Sequence, residues 1–381
     1  MDDEGNCMDR LSVDVVVGTR PEAIKMAPLY LALRADRRVA ARLILTGQHA
    51  ELADRVLSVF GITADVNLSL MRLNQSLADL TSRTLVATQQ TLHDRRPDVV
   101  LVHGDTTTCL AATLAAFYEK IPVGHVEAGL RTYDIDAPWP EEMNRRLVDP
   151  ICRWCFAPTE IAAANLRAER IPDSRIHVTG NTVIDALLLA RDMVQRKKPT
   201  VQGLPDDALT GRRIVLITGH RRESFGQPLE QVCLAIADIA RKFSDVALVY
   251  PVHPNPNVLG PVQRILATQD RVFLIAPVDY LEMVHLMDRS YLIITDSGGI
   301  QEEAPTLGKP VLVTRTVTER PEAVERGCAS LVGTDRETIV REASRLLTDP
   351  AAYSRMAQVA NPYGDGKACQ RIVDILLQSR S

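Results

Sequence analysis

Short apolar runs rich in valine, isoleucine and leucine recur along the chain, and polar or glycine-containing segments follow them. Runs of this length are typical of strands that are buried on both faces of a parallel sheet. We expect such strands at 13–17, 43–46, 99–102, 123–126, 154–157, 175–178, 214–218, 247–251, 272–275, 291–295 and 311–313. We expect helices to fill the span 50–93, to include 300–307, and to occupy the chain after the last strand. This alternation predicts an α/β fold of the doubly wound class.

A polar stretch without either hydrophobic period interrupts the alternation near the middle of the chain, at 195–211. Such a stretch is typical of a linker between domains. We therefore expect two Rossmann-like domains that face each other across a central cleft. The predicted boundaries are 11–190 for the N-terminal domain, completed by the C-terminal helix 366–381, then 191–211 for the linker or hinge and 212–365 for the C-terminal domain.

Composition narrows the class of protein. A chain of 381 residues with 46% hydrophobic and 24% charged residues is long enough for two globular domains. Its net charge of −4, without a basic stripe, argues against nucleic acid as a partner. No apolar run approaches the roughly 20 residues that span a bilayer, so we expect no membrane association. The acidic, polar N-terminus is unlike a signal peptide, and we expect a cytoplasmic protein.

The seven cysteines are odd in number and lie within apolar segments, as reduced structural thiols do. Cys152 and Cys155 form a C-x-x-C pair, but no second pair or neighbouring histidine completes a zinc site. We therefore predict no metal site. The turn after the first strand, G-T-R-P-E, also lacks the G-x-G-x-x-G pattern of a nicotinamide or flavin site, so no cofactor is predicted.

The stretch T-D-S-G-G-I-Q-E-E-A-P takes the chain from the strand at 291–295 through a glycine turn into a helix. Such a turn offers backbone N–H groups and the positive end of a helix dipole, which together bind anions such as phosphate. Glu302 and Glu303 follow one turn later, where carboxylates can hold ribose hydroxyls. An ordinary strand–helix turn with solvated glutamates is the alternative.

Several further motifs occur in a fixed order: G-T-R-P-E-A-I-K-M-A-P-L, H-G-D-T-T-T, H-V-E-A-G-L-R-T, P-W-P-E-E-M-N-R, T-G-N-T-V-I-D, T-G-H-R-R-E-S-F-G and T-E-R-P-E-A. With these motifs the chain resembles the non-hydrolysing UDP-N-acetylglucosamine 2-epimerases, from about residue 13 to residue 378. The resemblance implies the glycosyltransferase-B architecture, a homodimer, and the interconversion of UDP-GlcNAc and UDP-ManNAc without a cofactor. In this reaction UDP leaves C1 as the C2 proton is lost, and it then adds back to 2-acetamidoglucal.

The resemblance also implies roles for individual residues. The catalytic candidates are Asp105, Glu127, Glu141 and His220. The residues expected to bind the UDP-sugar are Arg20, Lys25, Arg221, Ser297, Gly298, Gly299, Glu303 and Arg320. Some relatives bind a second UDP-GlcNAc as an activator, and the matching positions Gln48 and His253 leave that regulation open here.

Two of the three acids also have a structural interpretation. Asp105 has the position of an N-cap ahead of Thr106, and Glu141 that of a helix-start carboxylate beside Pro140. His103 and His125 lie on strands, and we predict that both are core histidines with satisfied hydrogen bonds. Val278 and Met283 stand where family members commonly have glutamine and phenylalanine beside uracil.

Alternatives to the predicted activity remain at this point. The same chemistry on another UDP-2-acetamido sugar, such as UDP-2,3-diacetamido-glucuronate, is one of them. A hydrolysing UDP-GlcNAc 2-epimerase is another, although the intact P-W-P-E-E and H-V-E-A-G-L-R motifs argue against it. A catalytically inactive nucleotide-sugar sensor would keep the anion-binding turn and lose the acids, all three of which are present.

Overall fold

The computed structural model describes residues 10–47, 50–72, 75–205 and 209–379. The chain forms two compact units. Unit 1 contains the chain up to Leu188 and resumes at Tyr363, and unit 2 is Leu189–Pro362. Unit 2 is therefore one continuous segment, whereas unit 1 is built from two separate parts of the chain.

Unit 1 contains a seven-stranded parallel sheet with the order β3-β2-β1-β4-β5-β6-β7. Its strands are β1 Leu11–Val17, β2 Val39–Leu45, β3 Val66–Asn67, β4 Val99–His103, β5 Val123–Val126, β6 Trp154–Ala157 and β7 Ile176–Val178. Its helices are α1 Arg20–Ala35, α2 Ala50–Val59, α3 Leu77–Arg95, α4 Thr107–Tyr118, α5 Glu141–Val148, α6 Glu160–Ala168 and the first part of α7 Thr182–Lys197. A 3-10 turn at Asp173–Arg175 precedes β7.

Unit 2 contains a six-stranded parallel sheet with the order β10-β9-β8-β11-β12-β13. Its strands are β8 Arg213–Thr218, β9 Val246–Pro251, β10 Val272–Ile275, β11 Leu292–Thr295, β12 Val311–Val313 and β13 Ala329–Leu331. Its helices are α8 Gln227–Lys242, α9 Pro256–Leu266, α10 Tyr280–Arg289, α11 Gly298–Glu303, α12 Pro321–Arg326, α13 Arg336–Thr348 and α14 Pro350–Ala357. Both sheets have the strand order of the dinucleotide-binding α/β folds.

The last helix, α15 Ala368–Gln378, belongs to unit 1 and packs against α1. Asp185 of α7 holds its first turn, because the Asp185 carboxylate accepts hydrogen bonds from Ala368 N at 3.2 Å and Cys369 N at 2.9 Å. A carboxylate at this end of a helix satisfies N–H groups that have no partner within the helix.

The apolar runs predicted as strands are buried. In β1, for example, Val13, Val15 and Val17 are completely covered. Helices on both faces of each sheet explain why these runs are continuously apolar rather than alternating. The six cysteines that the structure describes are buried free thiols, in agreement with the predicted structural role. Within the described ranges no helix combines the length and the apolar character needed to cross a bilayer.

Several predicted elements were wrong in their extent. The span 50–93 is not all helix, because α2 ends at Val59 and the chain then forms β3 before α3. Strand β13 lies where only helices were expected, because Ser330 interrupts the apolar run of Ala329–Leu331. The helix predicted at 300–307 begins at Gly298 and becomes a 3-10 helix at Ala304–Leu307, where Pro305 has no N–H to donate.

Candidate active site

Each sheet reverses its winding direction at one point, and the predicted site residues follow the strands that meet there. In unit 1, β1 lies between β2 and β4, and in unit 2, β8 lies between β9 and β11. Open α/β sheets bind ligands beyond the carboxyl ends of the strands at such a switch point. Arg20 and Asp105 follow β1 and β4, and His220 and Ser297 follow β8 and β11.

The turn after β1 is fixed by Glu22, whose buried carboxylate accepts hydrogen bonds from Gly18 N at 2.9 Å and Thr19 N at 2.7 Å. It also accepts one from Thr106 Oγ1 at 2.6 Å, which joins this turn to the one after β4. Burial raises the pKa of Glu22 although these hydrogen bonds act in the opposite direction. Arg20 is thereby held at the first position of α1 and is half-buried.

Glu127 and Lys25 form an ion pair beyond the ends of β5 and β1. Lys25 Nζ donates a short hydrogen bond to Glu127 Oε2, and Asn181 Nδ2 donates to the same oxygen at 2.7 Å. The Glu127 side chain is 8% exposed, and its backbone has a φ of +68°, a left-handed conformation that is uncommon for a residue with a side chain. Two residues predicted separately therefore form one buried cluster.

Asp105 is paired with Arg145 of α5. Its Oδ2 accepts hydrogen bonds from Arg145 Nε at 2.9 Å and Nη2 at 2.6 Å. The same guanidinium donates from Nη1 to Glu142 Oε2 at 3.1 Å. The N-cap interpretation of Asp105 was wrong, because the cap of α4 is Thr106, whose hydroxyl accepts from Cys109 N at 3.1 Å.

Glu141 is the first residue of α5, directly after Pro140, and it is half-buried. The neighbouring Glu142 is the buried carboxylate of this helix and accepts hydrogen bonds from Thr132 N at 3.0 Å and Tyr133 N at 3.1 Å. The structural interpretation of Glu141 as a helix-start carboxylate therefore stays open beside the catalytic one.

The two strand histidines differ in their surroundings. His125 is completely buried, with Nδ1 at 2.6 Å from Asp149 Oδ1 and Nε2 at 2.7 Å from Gly104 O. It is a satisfied core histidine, as predicted. His103 is also buried, but within the described part of the chain neither of its ring nitrogens has a hydrogen-bond partner. The prediction for His103 was therefore wrong.

His103 belongs to the surroundings of the predicted acid. Its Nε2 lies 3.8 Å from Glu127 Oε2, beyond hydrogen-bond distance. Burial lowers the pKa of His103 to about 4, and the Glu127 charge opposes this shift without cancelling it. At neutral pH the side chain is an uncharged imidazole beside the Lys25–Glu127 pair.

In unit 2, Asp296 connects the ends of β11 and β8. Its carboxylate is 2% exposed, and its Oδ2 accepts hydrogen bonds from the backbone N–H groups of His220 and Arg221, each at 2.8 Å. The His220 side chain is 50% exposed, and its ring stacks on that of His253 at 5.6 Å between centroids. His253, predicted for an activator site, therefore contacts a predicted catalytic residue, whereas Gln48 lies outside the described residues.

One arginine side chain, that of Arg221, lies beside the turn that was predicted to bind phosphate. A Cβ added to Gly298 would lie 3.7 Å from Arg221 Nη2, which places this guanidinium beside the turn. Glu319 Oε1 lies 3.7 Å from Arg221 Nη1 and 3.4 Å from Arg315 Nη2. Burial acts to raise the pKa of Glu319, but the neighbouring arginine charges outweigh it and hold the pKa below its ordinary value.

The remaining predicted nucleotide contacts lie on α11 and just before α12. Ser297 is the N-cap of α11, Gly298 and Gly299 are its first residues, and N–H groups at such a position have no partner within the helix. Glu303, predicted to hold ribose, is buried and accepts a hydrogen bond from Tyr280 Oη at 3.0 Å. Arg320, predicted on the phosphate side, donates from Nε to Glu302 Oε1. In the described ranges no three His, Cys, Asp or Glu side chains are grouped as metal ligands.

Comparison with known proteins identifies the family. The model of the UDP-N-acetylglucosamine 2-epimerase family matches residues 31–377. The chain is 54% identical to UDP-N-acetylglucosamine 2-epimerase of Yersinia pestis over 369 residues, which is 96% of this chain and 98% of that one. The chain belongs to the UDP-N-acetylglucosamine 2-epimerase family.

Solved structures of this family agree with the fold. The crystal structure of UDP-GlcNAc 2-epimerase from Neisseria meningitidis bound to UDP-GlcNAc superposes with a TM-score of 0.87 at 47% identity, covering 96% of this chain and 100% of that one. The crystal structure of UDP-GlcNAc 2-epimerase from Methanocaldococcus jannaschii in complex with UDP-GlcNAc and UDP superposes with a TM-score of 0.78 at 33% identity, covering 96% of this chain and 99% of that one. The predicted family and the predicted class of two Rossmann-like domains are confirmed.

Three residues that hydrogen-bond to predicted site residues were not themselves predicted, namely Asn181, Arg145 and Asp296. Each stands inside a motif that carried the resemblance: T-G-N-T-V-I-D, P-W-P-E-E-M-N-R and T-D-S-G-G. The usable signal was an amide, a guanidinium or a carboxylate within such a motif. What each of them contacts depends on the tertiary fold.

Proposed function

We propose that this chain interconverts UDP-N-acetylglucosamine and UDP-N-acetylmannosamine by inverting C2, without hydrolysing the sugar from UDP. The observation that carries the proposal is the match, along nearly the whole chain, to enzymes named for this reaction. The presence of Asp105, Glu127 and Glu141 together, and of a buried Lys25–Glu127 pair, supports it.

The C2 hydrogen of the sugar is not adjacent to a carbonyl, so its removal alone leaves a carbanion without stabilisation. Loss of UDP from C1 as the C2 proton departs avoids that carbanion and gives 2-acetamidoglucal. Protonation from the opposite face and return of UDP then complete the inversion. The reaction therefore needs a group of donors that stabilises the charge developing on the leaving diphosphate, and proton-transfer groups for both faces of C2.

We assign diphosphate binding to Arg20, His220, Arg221 and Arg320, with the backbone of 297–299. Guanidinium groups suit this role because their N–H groups match two phosphate oxygens at once. Glu303 is assigned to the ribose and Lys25 to the substrate side of unit 1. The assignment makes 11–190 with 366–381 the sugar and acid/base domain and 212–365 the UDP domain.

Proton transfer is assigned to Asp105, Glu127 and Glu141, and the face on which each acts is left open. Asp105 is held by the bidentate contact with Arg145, and Glu127 by Lys25 and Asn181. Fixed carboxylates of this kind are suited to acid/base work, because orientation relative to the transferred proton determines the rate.

The decisive experiment is incubation of the protein with UDP-GlcNAc in D2O, followed by NMR. We expect intact UDP-ManNAc that carries deuterium at C2. Free UDP with free sugar would instead indicate a hydrolysing enzyme. The absence of turnover would exclude this substrate and direct attention to UDP-2,3-diacetamido-glucuronate or to a sensor role.

The same substitution at two glutamates tests whether Glu127 takes part in the chemistry. Glu127→Gln removes a proposed acid/base group, and we expect turnover to fall by about 10²- to 10⁴-fold. Glu160→Gln makes the same change at an exposed position of α6 and should leave turnover unchanged. Equal activity of the two variants would exclude Glu127 from the chemistry.

Assembly as a homodimer and activation by a second UDP-GlcNAc are part of this proposal. Sedimentation velocity of the pure protein tests the first, with a monomer as the contrary result. The dependence of initial rate on UDP-GlcNAc concentration tests the second, because an activator site gives a sigmoidal curve and its absence a hyperbolic one.

A further inference from the structure

The two oxygens of Asp296 differ in their contacts. Oδ2 accepts hydrogen bonds from the backbone N–H groups of His220 and Arg221, which fixes the turn after β8. Oδ1 is equally buried, yet among the residues that the structure describes no donor lies within hydrogen-bond distance of it. A buried carboxylate oxygen without a donor is costly in free energy and therefore requires an explanation.

The His220 ring is a candidate for the missing donor. Nδ1 of His220 lies 3.8 Å from Asp296 Oδ1, roughly 1 Å beyond a hydrogen bond. Hydrogen bonds of catalytic groups are often long without a ligand and shorten in the complex. A small rotation of the ring toward β11 would satisfy the Oδ1 atom.

His253 restricts the motion that the ring can make. The two imidazole rings stack with an interplanar angle of 16°. His253 is itself oriented, because its Nδ1 accepts a hydrogen bond from Asn255 N at 3.1 Å. The His220 ring thus has a flat support on one face and a carboxylate oxygen near Nδ1, while half of the side chain remains exposed.

We propose that Asp296 is a positioning residue for His220, accepting Nδ1–H so that Nε2 is the ring atom presented to the leaving diphosphate. The inference rests on the proposed function, in which His220 contacts that group. With Nδ1 committed to Asp296, a protonated His220 donates Nε2–H to a phosphate oxygen. No bond to His220 forms, and the hydrogen bond strengthens as charge develops on the departing UDP.

The role toward His220 requires a carboxylate, whereas the role toward the backbone does not. Asp296→Asn therefore separates the two roles. In Asp296→Asn the amide oxygen can still accept from the backbone N–H groups of His220 and Arg221. Its NH2 group would then occupy the position of Oδ1 and would present a donor to Nδ1. The ring would then be the neutral Nε2–H tautomer, which can still donate to a phosphate oxygen but carries no positive charge to stabilise the departing diphosphate.

The test combines kinetics with a spectroscopic reading of the ring. Long-range ¹H–¹⁵N correlation of protein with labelled histidine reports which nitrogen carries the proton, and His220→Gln assigns the signal. In the wild-type complex with UDP we expect a protonated Nδ1, and in Asp296→Asn the Nε2–H tautomer. We expect kcat for UDP-GlcNAc to fall by roughly 10²- to 10⁴-fold in Asp296→Asn, with KM changed only a few-fold.

Asp349→Asn is the matched control. Asp349 also accepts two backbone N–H groups, from Ala351 at 2.9 Å and Ala352 at 3.0 Å, but it does so at the start of α14. This variant should keep the wild-type kcat and the wild-type His220 tautomer.

Three results would overturn the proposal. The first is a wild-type complex with UDP in which His220 is neutral and carries its proton on Nε2. The others are an Asp296→Asn variant with the kcat of the control, and an Asp296→Asn variant that loses kcat and affinity in parallel while the tautomer is unchanged. The wild-type spectrum decides alone if Asp296→Asn does not fold. Wild-type protein that shows the Nδ1–H signature but does not epimerise UDP-GlcNAc would refute the proposed function and support the Asp296–His220 pair.

Discussion

Replacement of His103 with glutamine should change how the stability of unit 1 depends on pH. The imidazole is buried without a hydrogen-bond partner among the described residues, and burial lowers its pKa to about 4 from an ordinary value of 6.5. The folded protein therefore binds this proton only below about pH 4, whereas the unfolded chain binds it below about pH 6.5. Between these values the unfolded state binds more protons, so the free energy of unfolding falls as the pH is lowered.

The magnitude follows from the size of the shift. Each pKa unit corresponds to about 1.4 kcal/mol, so His103 contributes a loss of about 3 kcal/mol between neutral pH and pH 4. The contribution is fully present above pH 6.5 and is lost as the pH falls to about 4. His103→Gln has no such group, and its free energy of unfolding should approach or exceed that of the wild type as the pH falls.

Urea denaturation at several pH values between 7 and 4 measures the effect. Tryptophan fluorescence is the suitable probe, because Trp139 and Trp154 both lie in unit 1, and a single free energy for the whole two-unit chain is not well defined. His93→Gln, at an exposed histidine of α3, controls for the loss of an imidazole as such. Parallel curves for wild type and His103→Gln over this range would refute the reasoning.

Three further changes test the packing around the site. Arg145→Leu leaves the Asp105 carboxylate without its guanidinium and should lower the free energy of unfolding by about 3 kcal/mol in urea, whereas a loss well under 1 kcal/mol would contradict the pairing. Gly129→Ala should lower the melting temperature markedly, because Gly129 has a φ of +87° and a Cβ there would lie 2.3 Å from Ala162 O; an unchanged temperature would contradict this. Asp185→Ala should speed amide hydrogen exchange in α15 and cost about 1 kcal/mol, and unchanged exchange would show that the cap is dispensable.

The strands that position the site could be predicted because parallel sheets bury long aliphatic runs. The run at 99–102, for instance, is β4 with His103 added at its end. Strands β3 and β13 are V-N and A-S-L, so each is short and also contains a polar residue, and neither forms an apolar run. The prediction that helical segments fill 50–93 was wrong around β3, because apolar residues continue through this irregular segment.

In the candidate site, the positions of residues at strand ends could be predicted, but the contacts between distant residues could not. Residues at strand ends, such as Arg20 and His220, follow from local pattern together with the known behaviour of α/β sheets. Contacts between distant parts of the chain do not follow from local pattern. The contacts of Glu127 with Asn181 and of Asp105 with Arg145 are examples. For His103, the apolar strand predicted burial correctly, but no local signal indicates whether a buried imidazole has a partner.

The return of α15 to unit 1 has a consequence for biosynthesis. Helix α1 precedes unit 2 in the chain, whereas α15, which packs on α1, follows unit 2. At ordinary translation rates the interval is on the order of tens of seconds, during which the α1 face that α15 covers has no native partner. Unit 2 is continuous and can complete its core in that time. Unit 1 is therefore expected to finish folding only after all of unit 2 has been synthesised.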